Sequence, residues 1–208
     1  PNGQISGRFQ THDPNLQGLP KVLRPAFYVD SHRLRHLVAA DYRQIQPRIL
    51  AALSGDSAWN YPFAEGIDFY KHCASAMFGK AIESITDDER AVSKSISMGL
   101  AFGMGVDTLL ETLAESGITS IDKAHAEALR KAFLDRFSTL VAWRDNLSRS
   151  KYVGKIEGDT AHRTLCLPSG RQIVYDAAGF SRQPLCSHLA QGIEAEIILN
   201  AILKFRKA

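Results

Sequence analysis

Apolar residues recur at helical spacing through most of this chain. Between Thr86 and Gly103, Val92, Ile96 and Leu100 fall on one face, while Arg90, Lys94, Met98 and Phe102 recur four residues apart along the other. Thr86 and Glu89 have the spacing of a capping box, so the pattern predicts a helix from about Asp87 to Gly103. Upstream, Gly3 to Pro20 predicts a short strand and a loop, and the apolar run Leu37 to Ala40 predicts a buried strand ending in Asp41. A helix follows, with Pro47 in its first turn, Ile49, Leu50 and Leu53 as its apolar face, and Gly55 as its stop. The text from Phe63 to Gly79 predicts another, with Asp68 as cap. Further helices are expected at about Asp107 to Ser116, Asp122 to Phe137 and Leu140 to Tyr152, where Leu129, Phe133 and Phe137 form a packing stripe. Arg163 to Leu167 and Arg171 to Tyr175 flank Pro168-Ser169-Gly170 as a β-hairpin, and a last helix runs from about Gln183 to Phe205.

Composition narrows the picture only a little. At 208 residues the chain can bury a real core. A net charge of +3 and a pI near 8.8 permit a polyanionic partner without demanding one. Cys73, Cys166 and Cys186 are odd in number, far apart and without C-x-x-C spacing, which fits a reducing intracellular compartment and argues against disulfides or structural zinc. His32 and His36 form the one i, i+4 histidine pair, but they lie among arginines beside a predicted strand, an unpromising metal site. No apolar run approaches the roughly 18 residues of a membrane span, and no signal peptide opens the chain, so a soluble protein that is not secreted is expected. The first residue is Pro1 and the last follows a helical segment directly, so the sequence reads as a piece of something longer.

Candidate chemistry lies in the stripe opposite the apolar face of the 87–103 helix. Two cations, a flexible thioether and an aromatic ring follow one another along the axis. That order suits a nucleoside triphosphate, with the cations at the dipole-positive end for phosphates and the ring for a base. Gly99 and Gly103 each cost a helix about 1 kcal/mol relative to Ala, so both are expected to admit the close approach of a base or a neighbouring strand.

These residues carry a resemblance. Arg90-x-x-x-Lys94-x-x-x-Met98-Gly99-x-x-Phe102-Gly103 resembles motif B of the family A DNA polymerases, the group of bacterial DNA polymerase I. Ser6-Gly7-Arg8 before Asp13-Pro14-Asn15-Leu16-Gln17 is close to another signature of that family, and Asp41-Tyr42-Arg43-Gln44-Ile45-Gln46-Pro47-Arg48 resembles its motif A. Gln191-Gly192 stands at the site of a family Gln-Gly. The likeness spans almost the whole chain in the family's order. It implies an α+β fold: a mostly helical fingers subdomain with part of the palm subdomain of a right-hand polymerase. Residues 1–58 would be palm with motif A, 59–160 fingers with motif B, and 161–208 a hairpin and long helix returning to the palm.

By the same resemblance the activity is DNA-directed DNA polymerisation by two-metal phosphoryl transfer. The partners would be primer-template DNA, deoxynucleoside triphosphates and the rest of the polymerase chain, with no membrane. Asp41, helped by the Tyr42 carbonyl, would bind magnesium. Arg90 and Lys94 would hold the triphosphate, Lys94 also protonating the leaving pyrophosphate, while Met98, Phe102, Gln44, Gln46 and Tyr70 would complete the nucleotide site. Arg8 and Gln191 would reach the minor groove, and Asn15 and Gln17 the DNA backbone.

The sequence also departs from the family. Gln46 replaces the motif A glutamate and Phe102 the motif B tyrosine, two side chains that bond each other in the family, so losing both strands neither. Gln46 would still exclude a ribose 2′-OH by bulk. Met98 replaces Phe or Tyr and softens the pocket. Motif C, with the second metal-binding aspartate, is absent, which implies that this chain alone is inert. The competing reading is a non-catalytic nucleic-acid-binding module, and Asp41 discriminates against it, since a pure binder gains nothing from an anion among phosphates.

Overall fold

The computed structural model describes residues 4–8, 10–11, 13, 20, 22–23, 40–182 and 184–205. The expected strand over residues 37–40 lies almost entirely outside them, as do Asn15, Gln17, His32 and His36. Eight α-helices are described: α1 (Ile45–Ser54), α2 (Ser57–Ala64), α3 (Phe69–Phe78), α4 (Asp87–Phe102), α5 (Val106–Glu115), α6 (Lys123–Arg136), α7 (Ser138–Asp145) and α8 (Leu185–Phe205). Between α7 and α8 stands an antiparallel sheet in the order β1 (Val153–Gly154), β2 (His162–Cys166), β3 (Gln172–Asp176). The architecture is α+β, as the family resemblance implied.

The core grows around Trp59 in α2, which is fully buried and meets Phe69, Phe133 and Phe137 edge-on at centroid distances of 4.8, 5.9 and 5.0 Å. Its indole N–H donates to the Pro47 carbonyl at 2.9 Å, so α1 is bonded into the same cluster. Buried Asp56 caps α2 by accepting from the Trp59 amide, and its other oxygen accepts from the Leu140 amide in the first turn of α7. One carboxylate thus satisfies amide donors of two helices that would otherwise be orphaned in the interior.

Three expected boundaries shift. The segment from Phe63 to Gly79 is not one helix: Phe63 belongs to α2, Gly66 takes a positive φ of 69°, and α3 starts afresh on its Asp68 cap. The helix expected to reach Tyr152 ends at Asp145 and is followed by a 3-10 turn over Leu147–Arg149. The hairpin strands each begin or end one residue from the expected limits, with Arg163 opposite Tyr175 and Leu165 opposite Ile173. Ile173 and Tyr175 turn inward while Gln172, Val174 and Asp176 face out, the alternation of a half-buried strand.

Candidate functional site

Helix α4 starts on a complete capping box: Thr86 Oγ1 accepts from the Glu89 amide and the Glu89 carboxylate accepts from the Thr86 amide. Asp87, Asp88 and Glu89 add negative charge to its first turn, where the helix dipole is positive. Val92, Ile96 and Leu100 are buried, which leaves Arg90, Lys94, Met98 and Phe102 along the opposite face. Lys94 is exposed; Met98 and Phe102 are half-buried and lean on the core.

The two glycines serve packing and termination rather than an open approach. A Cβ at Gly99 would collide with the Met104 methyl group, which folds back over it. Gly103 ends the helix with φ 102°, a conformation that favours glycine. Beyond it, Arg144 of α7 donates to the Leu100 carbonyl at 3.0 Å, and Arg130 of α6 donates to the Met104 carbonyl at 3.1 Å. The end of the stripe that carries Phe102 is therefore pinned by two guanidinium groups.

The other end is held by α3. Arg90 stacks over the Tyr70 ring at 5.7 Å and bonds the Asp68 carboxylate. Burial alone would raise the Asp68 carboxyl, but the Arg90 bond and the Lys71 and Tyr70 amides outweigh it and hold the group below the usual carboxylate range. Arg90 is correspondingly shifted up, chiefly by that bond. Burial pushes the Tyr70 phenol up, so Tyr70 enters any site as a neutral hydroxyl.

Asp41 and Tyr42 are exposed on the loop before α1, and Gln44 caps that helix with a positive φ of 55°, an uncommon conformation for a residue other than glycine. Asp41, Tyr42, Ile45 and Glu194 line one cavity of about 670 Å³ with the apolar second half of α8. Gln46, half-buried in the first turn of α1, donates its amide N–H to Glu194 Oε2 at 2.9 Å rather than pairing with Phe102. Arg8 approaches the same oxygen at 3.6 Å. Gln191 lies half-buried one turn earlier on α8. Two groupings emerge: Arg90, Tyr70, Lys94, Met98 and Phe102 on and against α4, and Arg8, Gln46, Asp41, Tyr42 and Gln191 around α1 and α8.

Arg171, in the turn of the hairpin, ties the stretch that carries Arg8 to the stretch that carries Gln191. It donates to the Glu196 carboxylate, to the Ser6 carbonyl at 2.7 Å and to the Gly192 carbonyl at 3.3 Å. A side chain at Gly7 or Gly192 would run into that guanidinium, at 2.7 and 3.0 Å, so these glycines give Arg171 its passage. The sequence reading missed Arg171, Arg144 and Glu194. Glu194 left a signal: it continues the buried row of Cys186 and Ala190 at four-residue spacing, a carboxylate where an apolar residue is expected.

The Asp41 carboxylate and a backbone carbonyl are hard oxygen donors of the kind magnesium takes. Among the described residues, however, no group of three or more His, Cys, Asp or Glu is placed to hold a metal ion, so they do not supply a full ligand set. No described helix is long and apolar enough to cross a membrane.

Comparison with known proteins decides the family. The family profile described as DNA polymerase family A matches residues 2–208. This chain belongs to that family. It is 31% identical over 199 residues to a DNA polymerase I of Helicobacter pylori, covering 93% of this chain and 20% of the relative. It is 30% identical over 159 residues to DNA polymerase I of Aquifex aeolicus, covering 76% and 27%, and 35% identical over 144 residues to the thermostable DNA polymerase I of Thermus aquaticus, covering 66% and 16%. The chain thus spans about a quarter or less of the length of these family A relatives. In fold it is similar to the POL domain of Pol1 from M. smegmatis, a structure in complex with DNA primer-template and dNTP, with a TM-score of 0.64 at 24% identity over 92% of this chain and 32% of that one.

Proposed function

We propose that this chain is the motif A and motif B core of a DNA-directed DNA polymerase, which adds deoxynucleotides to a primer 3′-OH in the complete enzyme. Residues 1–58 serve as part of the palm, 59–160 as the fingers, and 161–208 as the return to the palm. The observation that carries the reading is the α4 stripe, where Arg90, Lys94, Met98 and Phe102 share one face while the opposite face is buried.

Arg90 and Lys94 hold the triphosphate at the amino-terminal end of the helix, and Lys94, exposed to solvent, delivers a proton to the departing pyrophosphate. Tyr70 adds a neutral hydroxyl beside Arg90. Met98 and Phe102 form the half-buried floor for sugar and base, and Gln44 and Gln46 approach from α1. Arg8 and Gln191 contact duplex DNA in the minor groove, and Asn15 and Gln17 its backbone. Asp41, with the Tyr42 carbonyl, would hold one side of a magnesium ion, which supplies charge for the triphosphate and lowers the pKa of the primer hydroxyl.

Primer extension by the complete enzyme tests this. Asp41→Ala should abolish incorporation while duplex binding stays within a few-fold, because phosphate contacts elsewhere dominate affinity. Normal turnover in that variant would remove Asp41 from the chemistry and favour a module that binds nucleic acid without acting on it.

A further inference from the structure

Glu194 is a carboxylate on the buried row of α8, 7% exposed, in a position where an apolar side chain would pack α8 on α1 at less cost. Its partners come from two other segments: the Gln46 amide at 2.9 Å and the Arg8 guanidinium at 3.6 Å, both on Oε2. It also lines the cavity that Asp41 and Tyr42 line. Three stretches that carry candidate site residues thus meet at one oxygen.

We propose that Glu194 is a positioning residue that fixes which end of the Gln46 amide faces the nucleotide sugar. The proposal rests on the polymerase reading above. A carboxylate oxygen accepts, so Glu194 receives the Gln46 NH2 group at 2.9 Å and the amide oxygen is turned away from it. A neutral partner would allow either orientation. Arg8 brings a positive charge to the same oxygen at 3.6 Å, so the arrangement of the amide involves the amino-terminal segment as well. Gln46 therefore offers its surroundings an oriented carbonyl acceptor, held from behind by a charge, in place of a freely flipping amide.

The test uses the complete enzyme and compares incorporation efficiency for ribonucleotides and deoxynucleotides, with thermal unfolding measured alongside. Gln46→Ala should raise the ribonucleotide-to-deoxynucleotide ratio, establishing that Gln46 faces the sugar. Glu194→Gln should raise it about tenfold with an unfolding midpoint close to wild type, since a charge-assisted hydrogen bond is exchanged for a neutral one of the same shape. Gln46→Glu alone sets two carboxylates against each other and should lower deoxynucleotide incorporation at least about tenfold. Adding Glu194→Gln to it restores one acid and one amide and should recover most of that loss. If Gln46→Ala or Glu194→Gln leaves the ratio unchanged, or if Glu194→Gln lowers both efficiencies equally in step with a lower unfolding midpoint, Glu194 only ties α8 to α1 and the proposal fails. A wild-type enzyme that extends no primer would overturn the polymerase reading itself, an outcome distinct from either.

Discussion

Asp68 grips Arg90 through a single carboxylate oxygen, Oδ2, which accepts from Nε at 3.2 Å and from Nη2 at 2.8 Å, while its other oxygen caps α3 by accepting from the Lys71 amide at 2.9 Å. The residue that starts one helix therefore aims the first cation of the next. A phosphate reaching Arg90 meets a guanidinium already oriented, with its remaining N–H groups to offer.

Asp68→Ala should lower stability by about 1 to 2 kcal/mol through loss of the cap, and should raise the nucleotide KM more than it lowers kcat. Chemical denaturation and steady-state incorporation by the complete enzyme check the two parts. Because the Asp68 carboxyl lies below its unfolded value of 3.8, its contribution is fully present above that pH and is lost as pH falls through the lower folded value.

Arg90→Ala and Lys94→Ala should each cut incorporation efficiency by roughly ten- to a hundredfold, the worth of a charge-assisted hydrogen bond. Normal efficiency in both variants would mean that the α4 stripe is a solvated face.

Gly103→Ala should destabilise the fold by about 1 to 2 kcal/mol, because an alanine must adopt φ 102° or give up the bonds that close α4. An unchanged denaturation midpoint would show that the α4 terminus can rearrange freely despite Arg144.

Seven helices were legible from periodicity and boundary signals, as in α4 with Thr86 and Glu89 or α6 with Asp122, where eight are described. The break between α2 and α3 was not, since Phe63 and Phe69 are both apolar and stack on each other at 5.2 Å, so they look like one continuing face. The stripe of Arg90, Lys94, Met98 and Phe102 on α4 could be read because it repeats along one element. Arg171 could not, because its partner at Ser6 is 165 residues away in sequence, and Glu194 left only its place on the buried row of α8, since its partner Gln46 lies 148 residues away. The same blindness misassigned Gly99, whose neighbour Met104 follows a chain reversal that periodicity does not describe.

Buried His72 bonds the Ala58 carbonyl at 2.9 Å, and burial holds its ring below the ordinary 6.5; burial shifts His188 the same way beside Tyr175. The unfolded chain binds these protons more readily, so stability should be complete above about pH 6.5 and decline as pH falls from there toward the folded values. His72→Gln should flatten part of that decline in denaturation midpoints taken across the acid range, leaving the share due to His188.

Arg171 also dictates a sequence of events. Its bond to the Ser6 carbonyl joins positions 165 residues apart, and the guanidinium is presented only once the hairpin has closed and α8 has supplied Glu196 and Gly192. Loop-closure entropy makes such a contact late in folding. On the ribosome, the turn at Ser6-Gly7-Arg8 is made well before α8, yet its bond to Arg171 waits until α8 has emerged, so within this stretch of chain an earlier-made segment is fixed by a later one.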